Sequence, residues 1–354
     1  MRGDAASNPT MKDVAKLAEV SIKTVSRFVN GETNIDPALT ARIDRAIRVL
    51  GYRRNLAAAS IRPGWTSRML GLIISDLANP YYSTLARAIE EVVSAEGYML
   101  IVSSSEESGE HHDEILDRLM EQRVDGLIIV PPRRPGRPWS EVRPPIPPLV
   151  FLDRPAGYFE ADVVLADNAG GSAAATRALY HAGARSIAFL GDSLQIYTIR
   201  ERYRGYCAAL EEVGLSADSQ PLAIDAHSRQ DAEEKVLELL DSGEADSIFA
   251  ANNRAAIGAL QAFRARGGSV PLIGFDDFEV AHLIGPGLST VSQDIDRMGR
   301  DAARMLLRRL TGHHDPYQTV LLPTQLVLRG SEYPGWLDAP NHPAGVAPIA
   351  GLPG

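Results

Sequence analysis

The chain has 354 residues, a formal net charge of −9, 45% hydrophobic and 23% charged residues, and a single cysteine, Cys207. This length predicts two or three domains, and this composition is that of a globular protein, which excludes wholesale disorder. One cysteine excludes an intramolecular disulfide framework and a cysteine-cluster metal site. The sequence has neither an apolar run of the ~18 residues that span a bilayer nor a signal-peptide pattern, so we expect a cytoplasmic protein.

The charge is divided unevenly along the chain. Residues 1–62 carry eleven Lys/Arg and six Asp/Glu, a net charge of 11 − 6 = +5, so the rest of the chain carries −9 − 5 = −14. A basic segment joined to an acidic body indicates a module that faces nucleic acid or a membrane. A solvated surface that is merely basic is the alternative, and charge alone leaves both open.

Three helix signals follow one another in the basic segment. Thr10 and Asp13 have the spacing of a capping box at the start of a first helix, and Ser21 is a good N-cap for a second. A third helix opens at Asp36, where proline takes the first helical position, and Gly51 ends it. Two short helices around a three-residue turn, supported by a third, predict a helix-turn-helix, whose second helix lies in the major groove of DNA.

From Met69 onward, strands and helices alternate along the chain. This alternation predicts an α/β fold with parallel sheets, in which ligands bind beyond the carboxyl ends of the strands. Polar side chains stand at those ends, namely Asp76, Asn79, Asp153, Arg154, Asn252, Asn253, Asp276 and Asp277. Carboxylates and amides brought together suit a hydroxyl-rich ligand, although Asp and Asn also favour ordinary strand-end turns.

The basic segment and the α/β body both resemble one family. Residues 11–55, especially VAKLAEVS, TVSRFVNG and LGYRRN, closely resemble the DNA-binding domain of the lactose-repressor (LacI) family of bacterial transcription regulators. The similarity continues to about residue 332 through segments such as VDGLIIVPP, IGFDDFEVA and LLPTQLVLRGS. It implies an N-terminal all-α helix-turn-helix domain and a two-lobed, periplasmic-binding-protein-like core of parallel sheets flanked by helices.

The resemblance also predicts how the chain is divided. The expected parts are a disordered arm over 1–9, a helix-turn-helix domain over 10–54, a hinge helix and linker over 55–68, an effector-binding and dimerisation core over 69–332, and a disordered tail over 333–354. Within the core, lobe 1 takes about 69–165 and 294–322, and lobe 2 takes about 166–293 and 323–332.

The resemblance assigns DNA contacts to positions in and after the second helix. Ile22, Lys23 and Arg27 fall where the family reads bases, and an arginine can donate two hydrogen bonds to guanine, worth about 1–3 kcal/mol of discrimination. Phosphate contacts, which set register without carrying sequence information, are expected from Thr24, Ser26 and Asn30. Tyr52 is expected either to contact phosphate or to close the core of the small domain.

The hinge positions implied by the resemblance are Asn55, Ala58 and Ile61. In the family this short helix forms on operator DNA, and an apolar residue at the position of Ile61 enters the minor groove and wedges between base steps. Ile61 stands where leucine is usual, and Ala59 stands where arginine is usual. An ordinary flexible linker is the alternative.

The resemblance places a small effector between the lobes. The implied contacts are Asp76, Tyr82, Asp153, Arg200, His227, Asn252 and Asp276. Arg200 is predicted to be the cationic clamp, with a surface charge paired with Glu201 or Asp192 as its alternative. His227 matches an aromatic stacking position, with a solvated loop histidine as its alternative. A sugar is the expected effector, and a nucleoside or another non-sugar ligand stays open.

No common nucleotide-binding, zinc-protease or hydrolase motif occurs in the sequence, so we expect no catalytic residue, metal or cofactor. We predict a dimeric, ligand-responsive repressor that binds pseudo-palindromic, double-stranded operator DNA and does not bind membranes. A cytoplasmic small-molecule binding protein is the alternative from a different class, but it leaves the basic segment without a role.

Residues 131–148 hold eight of the 23 prolines of the chain. A polyproline II segment that binds a partner is one interpretation of this stretch, and a rigid surface loop is the other.

Overall fold

The computed structural model of the protein describes residues 9–53, 66–157 and 159–337. The chain divides into two compact units, Met1–Ser67 and Arg68–Gly354. The described residues of the first unit form helices and no strand, and two sheets with flanking helices build the second unit, so the predicted fold class is confirmed. Among the described residues, no helix has the length and the apolar character needed to cross a membrane.

The first unit consists of α1 (Met11–Ala18), α2 (Ile22–Val29) and α3 (Pro37–Leu50). The predicted caps are present. The backbone N–H of Thr10 donates to Asp13 Oδ2 at 2.8 Å, and Ser21 Oγ accepts from the N–H of Thr24 at 3.1 Å. Gly51 ends α3 with a φ of 63°, a left-handed conformation that glycine adopts at little steric cost.

One buried side chain from each helix forms the centre of this unit. Val14, Val25 and Ile43 are fully buried, and Tyr52 packs against the same cluster. The first two residues of α2, Ile22 and Lys23, lie outside this cluster and remain exposed.

Lobe 1 of the second unit is built on β1 (Met69–Ile74), β2 (Met99–Ser104), β3 (Gly126–Ile129), β4 (Leu149–Leu152), β5 (Asp162–Ala166) and β11 (Thr319–Leu322). These strands form a parallel sheet in the order β11-β5-β4-β3-β1-β2. It is covered by α4 (Pro80–Ala95), α5 (Gly109–Glu121) and α10 (Ile295–Leu310). Strands such as β3 and β4 are apolar throughout because both of their faces are buried.

Lobe 2 is built on β6 (Ile187–Leu190), β7 (Leu222–Ala223), β8 (Ser247–Ala250), β9 (Leu272–Phe275), β10 (Ser289–Gln293) and β12 (Thr324–Val327). Its sheet has the order β12-β10-β9-β8-β6-β7. The flanking helices are α6 (Asn168–His181), α7 (Tyr197–Glu212), α8 (Arg229–Ser242) and α9 (Asn253–Arg266).

The chain crosses between the lobes three times, after β5, after β10 and after β11. Strands β5, β10 and β11 therefore end at the crossover side, and so do the strands that run parallel to them. Strand β12 differs from the predicted parallel arrangement because it pairs antiparallel with β10. The reason is that only Pro323 separates it from β11, so β12 enters lobe 2 at the crossover side and must run away from it.

The proline-rich loop between β3 and β4 is anchored to lobe 1. The Trp139 ring lies 5.5 Å from the Phe151 ring and 4.7 Å from the Phe159 ring, between ring centroids. Arg137 pairs with Asp117 of α5 through two hydrogen bonds. These contacts favour the interpretation of residues 131–148 as a rigid surface loop.

The start of the predicted disordered tail is packed against lobe 2. Trp336 is 3% exposed, and its indole N–H donates to the carbonyl of Val270 at 3.1 Å. The prediction of disorder from residue 333 is therefore corrected for residues 333–337, because the large aromatic side chain of Trp336 packs into the hydrophobic core of lobe 2. Residues 338–354 lie outside the described part of the chain.

Candidate functional site

A small cleft lies between the lobes, where the carboxyl ends of their strands face each other. Its cavity measures about 60 Å³. The lining residues are Ser75, Asn79, Tyr81, Tyr82, Glu107, Asp153, Arg154, Asp192, Ile196, Thr198, Ile199, Arg202, Asn252, Asn253, Arg254 and Asp276. Four of the seven residues predicted for an effector are among them, namely Tyr82, Asp153, Asn252 and Asp276.

Two aspartates occupy equivalent places in the two lobes. Asp153 directly follows β4 and Asp276 directly follows β9, and both are buried with left-handed φ values of 69° and 72°. Each backbone N–H donates to the adjacent strand, to Val164 at 2.9 Å and to Val291 at 3.0 Å. Aspartate tolerates this conformation better than most residues. The same backbone arrangement thus brings one carboxylate from each lobe to the cleft.

The carboxylate of Asp153 is held by neighbours from lobe 1. The Tyr81 hydroxyl donates to its Oδ1 at 2.9 Å, and Arg154 Nε lies 3.4 Å from its Oδ2. Arg154 also donates to the Tyr82 hydroxyl at 3.2 Å. Burial, together with the charge of Asp153, raises the pKa of Tyr81 well above its ordinary value, so this hydroxyl stays protonated and donates.

Glu107 is a cleft residue that the sequence analysis missed. Its carboxylate lies 2.9 Å from Arg154 Nη1, accepts the backbone N–H of Arg133 at 2.8 Å, and accepts a hydrogen bond from Ser75 Oγ. Burial alone raises the pKa of Glu107, but the charge of Arg154 and these hydrogen bonds outweigh it and lower the pKa below its ordinary value. No local signal identifies Glu107, because its partners come from three separate segments of lobe 1.

Arg202, and not Arg200, is the buried arginine of lobe 2. Its Nε donates to Asn168 Oδ1 at 2.8 Å, and its Nη1 donates to the carbonyl of Ala251 at 2.6 Å. The guanidinium lies 3.5 Å from Asp276 Oδ1 and 3.6 Å from the centre of the Phe275 ring. These contacts hold it rigidly at the edge of the cleft.

The prediction of Arg200 as the cationic clamp is corrected. Arg200 is exposed, and its guanidinium lies 5.6 Å from the centre of the Tyr197 ring. Glu201, one of its expected surface partners, pairs with Arg204 instead. The physical reason is helical geometry. Arg200 and Arg202 are two positions apart on α7, so they point about 200° apart around the helix axis and cannot lie on the same face.

The charge state of Asp276 depends on opposing contributions. Burial raises its pKa above the ordinary value, and the charge of Asp153 acts in the same direction. Arg202 opposes this shift, as does Gln293, whose Nε2 donates to Asp276 Oδ1 at 2.5 Å. The pKa of Asp276 is raised overall, because burial outweighs the contributions of Arg202 and Gln293.

Two contacts join the lobes beside the cleft. Asn253 Nδ2 donates to Asn79 Oδ1 at 2.8 Å, and Arg254 forms an ion pair with Asp76. Asp76, predicted to contact the effector, thus has a partner from the opposite lobe. Asn252 lines the cleft, but its Oδ1 already accepts the N–H of Ala255 at 2.8 Å and caps α9.

His227 is not part of the cleft lining. Its side chain is 49% exposed, and its Nδ1 lies 2.6 Å from Oδ1 of Asp192, which does line the cleft. His227 therefore fits neither the predicted stacking position, because it does not line the cavity, nor a solvated loop histidine, because it is paired with Asp192.

The predicted base-contacting residues differ in their solvent exposure and in their hydrogen bonds within the protein. Ile22 is 47% exposed and Lys23 is exposed at the start of α2. Arg27 is engaged, because its Nε donates to Glu32 Oε2 at 2.6 Å and its Nη2 donates to the carbonyl of Asn34 at 2.8 Å. These bonds tie α2 to the loop that follows it.

The other predicted DNA contacts lie in four different settings. Thr24 bonds to Ser21 at the cap of α2, at 2.8 Å between the hydroxyl oxygens. Ser26 is half-buried and Asn30 is exposed at the end of α2. Tyr52 is 9% exposed in the core, which favours its structural interpretation. The hinge positions lie outside the described residues, namely Asn55, Ala58 and Ile61.

Comparison with known proteins agrees with both units. Residues 10–55 match the family model of bacterial regulatory proteins of the lacI family, and residues 176–332 match that of periplasmic binding protein-like domains. The ribose operon repressor of Haemophilus influenzae is 30% identical over 333 residues, which are 92% of this chain and 98% of that protein.

Two solved structures are similar over most of the chain. A complex of the transcriptional regulator CelR with cellobiose is 30% identical, with a TM-score of 0.69 over 91% of this chain and 99% of that one. The lac repressor dimer bound to operator and the anti-inducer ONPF is 25% identical, with a TM-score of 0.77 over 92% of this chain and 100% of that one.

Proposed function

Because the chain belongs to the LacI family of bacterial transcription regulators, we propose that it is a repressor whose binding to operator DNA responds to a small effector held between its lobes. The observation that carries this proposal is the presence, in one chain, of a helix-turn-helix unit and of a two-lobed unit with a polar cleft. The relatives are transcription regulators and not enzymes, in agreement with the absence of catalytic motifs from the sequence. The alternative function, a small-molecule binding protein, does not account for the helix-turn-helix unit.

DNA recognition is proposed to use the exposed start of α2. Ile22 and Lys23 are exposed, and we propose that they contact base edges, because the N-terminal residues of a recognition helix contact bases in the major groove. Arg27 can contribute a base contact by leaving Glu32 for a guanine, because that ion pair is partly exposed to solvent and such pairs contribute little to stability. Thr24, Ser26 and Asn30 are proposed to contact phosphates. In the hinge, Asn55 and Ala58 are proposed to contact DNA, and Ile61 is proposed to wedge between base steps in the minor groove.

We expect Lys23→Ala to lower the operator affinity of the dimer by about 30-fold or more, because each of the two half-sites loses one contact worth about 1–3 kcal/mol. The operator is first selected from genomic fragments with the full-length protein, and affinity is then measured by gel shift at one salt concentration. Arg304→Ala removes an exposed positive charge from α10 and serves as the matched control. A protein that selects no DNA sequence contradicts the proposed function, and equal losses in both variants contradict the role of Lys23.

The effector is proposed to be a sugar of about monosaccharide size. A cavity of about 60 Å³ holds roughly four to six water molecules, and the carboxylates and amides around it suit vicinal hydroxyl groups. Two relatives are consistent with a sugar, since one is a ribose operon repressor and another was solved with cellobiose.

A thermal-shift series with ribose, glucose, cellobiose, adenosine and cytidine tests the effector class. We expect a monosaccharide to raise the melting temperature, and we expect cellobiose to have no effect because the cleft is too small for two rings. If only a nucleoside raises the melting temperature, the sugar hypothesis is wrong and the effector is a nucleoside. Ligand binding raises stability in proportion to the logarithm of ligand concentration, so a true effector shows a graded response.

An apolar surface of lobe 2 supports the proposed homodimer. A cavity of about 840 Å³ is lined by Ile257, Leu260, Phe278, Val280 and Ile284, among others. Val280 is 53% exposed and Leu283 close by is 77% exposed. Contiguous apolar surface of this kind marks an interaction site, and a twofold dimer suits a pseudo-palindromic operator.

We expect Val280→Glu to convert the dimer to a monomer, because the charge is buried without a partner when two copies meet. Light scattering after size-exclusion chromatography measures the change in mass. Leu321→Glu introduces the same charge at an exposed leucine of lobe 1, 59% exposed, and is expected to stay dimeric. If the Val280→Glu variant is still a dimer, the dimer interface does not include this surface of lobe 2.

A further inference from the structure

The arginines of the cleft already have anionic partners. Three arginines line it, and each pairs with a carboxylate: Arg154 with Glu107, Arg202 with Asp276, and Arg254 with Asp76. Arg154 and Arg202 are buried, so their charges cannot be neutralised by bulk ions.

Carboxylates outnumber arginines in this region. Glu107 and Asp276 line the cleft together with Asp153 and Asp192, and Asp76 lies next to it as the partner of Arg254. Five carboxylates and three arginines give a formal charge of −2 when all of them are ionised. Asp192 is paired with His227 and Asp153 accepts from Tyr81, so neither brings an additional cation into the cavity.

We propose that this cleft selects an effector without negative charge, and that Glu107 sets the selection by neutralising Arg154. This inference rests on the proposed function, in which the cleft holds the effector. An arginine with a carboxylate partner still has N–H groups left over, and these can donate to an uncharged hydroxyl oxygen. A phosphate or carboxylate has to displace Glu107, Asp276 or Asp76 from its partner, or enter a region that is already negative.

Glu107 is well placed for this role because it is held from three sides. Ser75, Arg133 and Arg154 each donate to its carboxylate, and the lowered pKa keeps it ionised at neutral pH. It does not need to contact the effector, so it acts as a positioning residue for Arg154. The inference excludes sugar phosphates, nucleotides and organic acids as effectors, and it retains neutral sugars and nucleosides.

Inorganic phosphate is the probe that tests this selection without knowledge of the effector. Its binding to the full-length protein is measured by calorimetry and by thermal shift, with phosphate exchanged for chloride at constant ionic strength. We expect no saturable binding to the wild-type protein. Glu107→Gln leaves Arg154 without its main counter-charge and is expected to bind phosphate at least about tenfold more tightly than the wild-type protein.

Two further variants make the result specific. Glu106→Gln removes the same charge from the exposed neighbouring residue and is expected to behave as the wild-type protein. Asp76→Asn releases Arg254 instead, which is more exposed, and is expected to gain phosphate binding to a smaller extent. Circular dichroism verifies that each variant is folded, and Asp76→Asn keeps the test decisive if Glu107→Gln does not fold.

Each outcome decides the inference. Saturable phosphate binding by the wild-type protein overturns it, as does the absence of any gain in the folded variants. The gel shift on the selected operator is measured in parallel on the wild-type protein. If the wild-type protein binds both the operator and phosphate, only the proposed charge selection is wrong. If it does not bind the operator, the proposed function as a transcription regulator is wrong.

Discussion

Arg202→Met is expected to lower the free energy of unfolding of the second unit by about 3–5 kcal/mol at neutral pH, which is the usual cost of leaving one member of a buried ion pair alone. The substitution leaves Asp276 buried without its cation and removes a donor from Asn168 Oδ1 and from the carbonyl of Ala251. Methionine approximately preserves the volume of the side chain. Urea denaturation followed by circular dichroism measures the loss.

The loss is expected to depend on pH with a definite sign. Burial already raises the pKa of Asp276, and without Arg202 the pKa rises further. A carboxyl whose folded-state pKa lies above its unfolded value holds a proton in the folded state that the unfolded state has released, so stability falls as pH rises through this window. The variant is therefore expected to be more strongly destabilised at pH 8 than at pH 5.

Two controls isolate this interaction. Arg200→Met changes the same residue type two positions earlier, on the exposed side of α7, and is expected to cost less than about 0.5 kcal/mol. The double variant Arg202→Met/Asp276→Asn removes both charges and is expected to recover part of the stability and to lose the pH dependence. Equal effects of the Arg200 and Arg202 substitutions contradict the assignment of Arg202 to the cleft.

Gly205→Ala is the second substitution expected to have a large effect, with a loss of about 3 kcal/mol. A Cβ at this position of α7 overlaps the carbonyl oxygen of Ala169 and lies 2.8 Å from Ala169 Cα, at the start of α6. Backbone atoms cannot rotate away as a side chain can, so the two helices must separate, and overpacking of this kind costs about 1–3 kcal/mol or more.

The consequence of Gly205→Ala reaches the cleft through Arg202. Arg202 lies on the same face of α7 and bonds to Asn168, and its carbonyl accepts from Ser172 of α6. Separation of the helices therefore displaces the guanidinium, and weaker effector binding is expected along with the lower stability. Gly268→Ala, at an exposed position with no atom within 4 Å of the added carbon, is the control and is expected to be near neutral. A stable Gly205→Ala variant contradicts the tight α6–α7 contact.

The first unit was largely predictable because its signals are local. The caps at Thr10, Ser21 and Asp36 act within three residues, so sequence spacing alone places the start of each helix. Tyr52 shows the limit of this reasoning. Its role could not be chosen from the sequence, because burial depends on how α1 and α3 pack around it.

The cleft was predictable in part. Asp153 and Asp276 were identified because residues that follow apolar parallel strands collect at one edge of a sheet. Asn252 was identified in the same way, although part of its side chain caps a helix. The resemblance assigned the cationic clamp to Arg200. The sequence could not correct this assignment, because a segment with arginine at positions 200, 202 and 204 does not show which of them α7 turns toward the cleft.

The sequence by itself determined the family, the division into a basic helical segment and an acidic α/β body, and the strand ends at which polar residues meet. The family follows from the resemblance of whole segments, whereas the division and the strand ends follow from summed charge and from spacing along the chain. Only the tertiary structure decided which arginine reaches the cleft, how Glu107 neutralises Arg154, and why β12 runs antiparallel. Those features depend on side chains and strands that are distant in sequence and become neighbours only when the helices and sheets have packed.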